Sequence, residues 1–125
     1  MRNAQISLIA GALVGATGVV LGAWGAHGLE AFLGNSDTGA WDTAVKYQLV
    51  HALALLLLGI LLHLRSSPAL IWSSRLILIG VLLFSGSIYL LTMGGPRWLG
   101  PVTPLGGSAL IVGWLALAAG AWRWS

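Results

Sequence analysis

The feature that most constrains this chain is the spacing of its charges. Six Lys and Arg and three Asp and Glu side chains leave four long intervals free of any, Asn3 to Leu29, Tyr47 to Leu64, Leu76 to Pro96 and Trp98 to Trp122. Each interval is close to or above the ~18 apolar residues that cross the hydrocarbon of a bilayer. At 58% apolar and 7% charged, the chain as a whole lies outside the range of soluble globular domains. Backbone in lipid has no water to bond, so a span satisfies its own N–H and C=O groups as a helix or joins a closed barrel. None of the four runs alternates as a barrel strand does. The expected fold is all-α: a single domain over residues 1–125, a polytopic membrane protein whose four transmembrane helices form a compact bundle.

The spans are expected at about residues 4–27, 41–64, 72–93 and 104–123, read from the apolar runs and the turn residues between them. Gly34, Asn35, Ser36 and Gly39 punctuate the first connection and Ser66, Ser67 and Pro68 the second, while Gly94, Gly95, Pro96, Gly100 and Pro101 mark the third. Thr103 is placed to N-cap the last helix, with Pro104 at its first position. The first run exceeds the 7–15-residue core of a secretory signal, so it is expected to stay as a helix. One membrane face receives Arg2, Arg65, Arg75 and Arg123 with no acid, and the other receives Glu30, Asp37, Asp42, Lys46 and Arg97. Four Lys or Arg against two puts both termini in the cytoplasm by the positive-inside rule. Tryptophan favours the headgroup level. Trp24, Trp41, Trp72, Trp98, Trp122 and Trp124 fall at expected boundaries, and Trp114 alone sits mid-span.

Two helices carry seams of small residues. In the first, Gly11, Gly15, Gly18, Gly22 and Gly25 recur at spacings of four and three; in the fourth, Gly106, Ala109, Gly113, Ala116 and Gly120 do the same. Lipid removes the hydrophobic drive between helices, so close backbone approach along such seams supplies the contact. A 3.5-residue period implies left-handed crossings near about +20°. The simplest expectation pairs helix 1 with helix 4, with a neighbouring subunit as the alternative partner for one seam.

The candidate chemistry lies where helix 1 ends and helix 2 begins. GAWGAHGLE closes the first run with His27 and Glu30, and WDTAVKYQLVHALALLLLG opens the second. Asp42 and Lys46 are four apart in the order that favours an ion pair, and Lys46 can snorkel outward. Tyr47, Gln48 and His51 share a helical face. His51 lies about 7 Å deeper than Lys46 at 1.5 Å per residue, where an ionisable group is costly and faces protein or a watery cavity. The proposed cluster is His27, Glu30, Tyr47, Gln48 and His51, with Asp42 at its edge. Its plainer reading is a hydrogen-bond network between helices, a use that suits a neutral imidazole, donor and acceptor at once. The sharper reading is a ligand, metal or proton site. No HxxxH pair is present and cysteine is absent, so no metal ligand set and no cofactor are expected. Helix 3 adds Ser85, Ser87, Tyr89 and Thr92. Either serine with His51 as base would be a minimal hydrolytic pair, although serines in spans more often bond carbonyls.

GAWGAHGLE, WDTAVKYQLVHALALLLLG, LLFSGSIYLL, and GPVTPLGG followed by GW together resemble the YgdD/YwdK type of small four-helix bacterial inner-membrane proteins, a domain of unknown function with small eukaryotic relatives. The resemblance spans nearly the whole chain. It implies four spans in the inner membrane and brings no catalytic residues with it. The expected role is a non-enzymatic structural or interaction bundle, bathed in membrane lipid, that forms a homo-oligomer or serves as an accessory subunit of a membrane complex. Small-ligand, metal or proton binding through the His/Tyr/Gln cluster is the alternative. The net charge of +3 is scattered over helix ends, with no basic run for nucleic acid.

Overall fold

In the computed structural model, which describes residues 2–29 and 38–124, four long helices follow one another. They are α1 (Arg2–His27), α2 (Gly39–Leu64), α3 (Pro68–Thr92) and α4 (Val102–Trp122), the last preceded by a 3-10 turn at Arg97–Leu99. Among the described residues there is no strand. Each helix, α4 being taken with the turn before it, is long and apolar enough to cross a membrane. An even number of crossings returns the chain to the face it started from.

Local chemistry sets the ends. Ser67 accepts the Leu70 N–H on its Oγ at 3.3 Å and Pro68 fills the first turn, so α3 starts four residues before the expected position. After Thr92 the chain reverses at Gly94, whose φ of 94° is left-handed, and the Gly95 N–H bonds the Leu90 carbonyl at 2.7 Å. Helix α4 also starts early, at Val102 after Pro101, so Thr103 and Pro104 lie within its first turn and Thr103 is no cap. Its hydroxyl turns sideways to Ser87 instead, 2.5 Å away.

Neighbours in space are neighbours in sequence. Helix α1 packs on α2, α2 on α3 and α3 on α4, with a light touch between α1 and α3. Helices α1 and α4 are not in contact, which corrects the expected pairing of the two small-residue seams. Each seam faces the inner helix next to it. Along α1, Gly11 and Gly15 lie against Ala52, Gly18 against Leu49, Gly22 against Val45 and Gly25 against the Trp41 indole. Along α4, Gly106 meets the Phe84 and Gly80 backbone, Gly113 meets Ile77 and Gly120 meets Leu70, while Ala109 and Ala116 are only partly buried. Seven-residue spacing returns to one face of a slightly underwound helix, so the three glycines of α4 line a single contact.

The inner pair supplies most of the core. Leu55, Leu58 and Leu62 of α2 meet Leu70, Ile77 and Val81 of α3, joined by Val14 from α1 and Leu110 from α4. Outward-facing side chains are equally apolar, as Val20, Leu53, Leu82 and Leu115 show, because hydrocarbon rather than water is their surroundings.

Candidate functional site

With α1 and α4 apart, a side groove runs between α1 and α3 across α2, and another between α2 and α4 across α3. Polar side chains cross both. In the first groove, of about 210 Å³, the buried Gln48 amide donates from Nε2 to the Val14 carbonyl at 3.0 Å and to Thr17 Oγ1 at 2.8 Å. Its Oε1 accepts the Tyr89 hydroxyl at 2.6 Å. One amide thereby ties three helices. Thr17 hands its own proton back to the Leu13 carbonyl at 2.9 Å, so the chain of donors closes on the backbone.

The second groove, of about 370 Å³, is bridged by His51. Its Nδ1 is 2.6 Å from the Tyr47 carbonyl and its Nε2 is 3.0 Å from the Trp114 Nε1. A carbonyl only accepts and an indole N–H only donates, so the ring carries its proton on Nδ1 and accepts at Nε2. Both nitrogens are engaged in the neutral form. This explains the one tryptophan that sits mid-span: the Trp114 N–H has a partner there, and the indole lies edge-on to the imidazole with centroids 5.8 Å apart.

Buried serines continue the pattern. Ser7 donates to the Leu55 carbonyl at 2.6 Å and accepts from Ser74 at 2.9 Å, joining α1, α2 and α3. Ser73 donates to the Gly113 carbonyl at 2.7 Å and Ser85 to the Ala44 carbonyl at 2.8 Å. Ser87 gives its proton to the Phe84 carbonyl of its own helix, which makes Thr103 the donor between the two hydroxyls. Among the described residues no buried side-chain polar atom lacks a partner.

The cluster expected from sequence is therefore brought together only in part. Gln48 and His51 are buried on α2, but they face different grooves and bond different helices. Tyr47 is 42% exposed; its ring stacks on His51 at 5.9 Å and meets Phe84 at 4.6 Å, while its hydroxyl stays outside the network. His27 and Asp42 are exposed and bond no side chain among the described residues, and Asp42 forms no ion pair with Lys46. Glu30 lies outside the described residues. Of the helix 3 set, Tyr89 joins Gln48, Ser85 and Ser87 bond as above, and the partly buried Thr92 takes no part. Neither serine touches His51 through a hydrogen bond, so the nucleophile–base pair is not assembled. No group of three or more His, Cys, Asp or Glu able to hold a metal occurs among the described residues.

Thr17, Trp114, Ser7, Ser73 and Ser74 are network members that sequence reasoning missed. Trp114 carried a signal in its depth. The serines carried none, since a serine in a span bonds its own helix as readily as a neighbour.

The family described as "Protein of unknown function (DUF423)" matches residues 21–107, from the last turns of α1 to the second turn of α4. A UPF0382 membrane protein of Staphylococcus haemolyticus is 41% identical over 113 residues, covering 90% of this chain and 92% of its own. A UPF0382 membrane protein of Staphylococcus saprophyticus is 40% identical over 95% of this chain and 98% of its own. The UPF0382 inner membrane protein YgdD of Escherichia coli is 38% identical over 97% of this chain and 92% of its own. No solved structure matches.

Proposed function

The chain belongs to the DUF423 family and is a multi-pass protein of the bacterial inner membrane, and we propose that it acts there as a non-enzymatic bundle that assembles with further copies of itself or joins a larger membrane complex. One observation carries this reading. The buried polar side chains within the spans bond each other and the backbone, down to both nitrogens of His51, so the interior holds the helices in register rather than offering groups to a substrate. What is left to meet partners is the apolar outside. Helices α1 and α4 have one main helical neighbour each, and expose broad flanks such as Ile9, Leu13 and Val20 on α1 and Ile111, Val112 and Leu115 on α4. The same proposal sets both termini in the cytoplasm, supported by the four arginines on their side against Lys46 and Arg97 opposite.

The test is the mass of the full-length protein in lipid nanodiscs and mild detergent, by native mass spectrometry. Two or more copies per particle, or a membrane protein copurifying at fixed ratio, is the expected result. A particle that stays monomeric overturns the reading, and all the more so if it holds a small molecule that His51→Ala releases.

A further inference from the structure

At the face that carries both chain ends, the connection from α2 to α3 and the end of α4 enclose a cavity of about 200 Å³. Arg65 and Arg123 line it, with Ser66, Ala69 and Trp124. Among the described residues the one Asp or Glu side chain is Asp42, at the start of α2 on the opposite face. Neither guanidinium has an ion-pair partner among the described residues. Arg65 instead lies 5.9 Å over the Trp124 ring, a contact that fixes its height at the membrane boundary, where tryptophan settles. The start of α3 adds a backbone donor. Pro68 has no N–H, the Leu70 N–H goes to Ser67 Oγ and the Ile71 N–H to the Ser67 carbonyl, which leaves the Ala69 N–H at the cavity wall without an acceptor among the described residues.

We propose that this cavity binds the phosphate of an anionic phospholipid, held between Arg65 and Arg123 with the Ser66 hydroxyl and Ala69 N–H as further donors. Each guanidinium offers the fork of N–H donors that phosphate oxygens favour, and no carboxylate lines the cavity. Size agrees: about 200 Å³ is several times the ~30 Å³ of a liquid water, room for a phosphodiester with its first ester carbons. Position selects the source. A cavity at the boundary, with an indole in its wall and apolar α3 and α4 flanks below it, admits a headgroup whose acyl chains remain in the bilayer, the arrangement of basic headgroup pockets between transmembrane helices.

The experiment is native mass spectrometry of the full chain titrated with phosphatidylglycerol or with phosphatidylcholine of the same acyl chains. The wild type is expected to prefer phosphatidylglycerol. Arg65→Gln and Arg123→Gln should each lower that preference about 5-fold and the double variant about 30-fold, taking about 1 kcal/mol per guanidinium near the membrane surface. Arg97→Gln, at the other face, should leave it within about 2-fold. All three substitutions are at exposed positions, and circular dichroism verifies that the helices persist. Glycerol 3-phosphate is the competing arm: failure to displace the lipid at millimolar concentration identifies the bilayer as the source, whereas one-for-one displacement places a soluble phosphate ester in the same site and overturns the lipid assignment. No preference in the wild type, full preference in the double variant, or an equal loss in Arg97→Gln overturns the site.

Discussion

Two helix pairs of the molecule solve the same packing problem differently. Both α1–α2 and α3–α4 set an outer helix with a glycine seam against an inner helix. In α3–α4, Gly106 and Gly80 bring backbone to backbone, while Gly113 and Gly120 receive the Ile77 and Leu70 side chains. A methyl at Gly106 would lie 2.9 Å from the Gly80 carbonyl oxygen and closer still to the Phe84 amide, and Gly80 in turn leaves no space before the Leu110 backbone. In α1–α2 most of the glycines receive side chains. Gly18 admits Leu49, Gly22 admits Val45 and Gly25 the Trp41 indole, whose Nε1 then reaches the Leu21 carbonyl at 3.0 Å. Backbone cannot yield to a methyl group, whereas a leucine can change rotamer. Two seams that look alike in sequence should therefore respond unequally to substitution.

The largest effect should come from Gly106→Ala, which forces α4 away from α3 and is expected to cost about 2–3 kcal/mol of unfolding free energy in mixed micelles. A cost as low as for alanines in the α1 seam would erase the distinction. Gln48→Leu should come next. It removes three bonds across the α1–α3 groove and strands the Tyr89 hydroxyl, and bonds between transmembrane helices average about 0.6 kcal/mol each, so a loss of about 1–2 kcal/mol is expected. Chemical shift or hydrogen-exchange changes confined to α1 and α3 would place that loss in the groove. The smallest effect, of opposite sign, belongs to Gly15→Ala. A Cβ there stands 3.6 Å from that of Ala52, ordinary contact, and alanine is the better helix former, so stability should rise by about 0.5 kcal/mol. Destabilisation by Gly15→Ala would mean that α1 sits closer to α2 than described.

The architecture was written plainly in the charge pattern and much less plainly in the seams. Charge-free runs locate spans because lipid penalises every exception, and the α1 and α2 ends at His27 and Leu64 coincide with those expected. Connections were read well where Gly or Pro imposes a turn, and missed by a few residues where a serine cap extends a helix, as Ser67 does for α3. Helix partners were not legible. A glycine repeat marks which face approaches something without identifying what, and the inner helices that receive the seams carry large side chains that resemble lipid-facing ones. The cluster reading had the same weakness. Residues Gln48 and His51 are both buried, but three positions along a helix turn a side chain by about 300°, enough to aim them into separate grooves. His27 shares their membrane side in sequence, yet it stands exposed at the end of α1.

The succession of contacts, α1 with α2, α2 with α3, α3 with α4, also bears on biogenesis. A ribosome delivers the helices to the translocon in the order in which they find their partners, so the first hairpin can close as soon as Leu64 has emerged, with Ser7 on Leu55 and Gln48 on Val14 and Thr17 already bonded. The Gln48 carbonyl oxygen then waits for Tyr89, Ser7 for Ser74, the Ala44 carbonyl for Ser85 and His51 for Trp114, so the late helices bring hydrogen-bond donors to acceptors already in place.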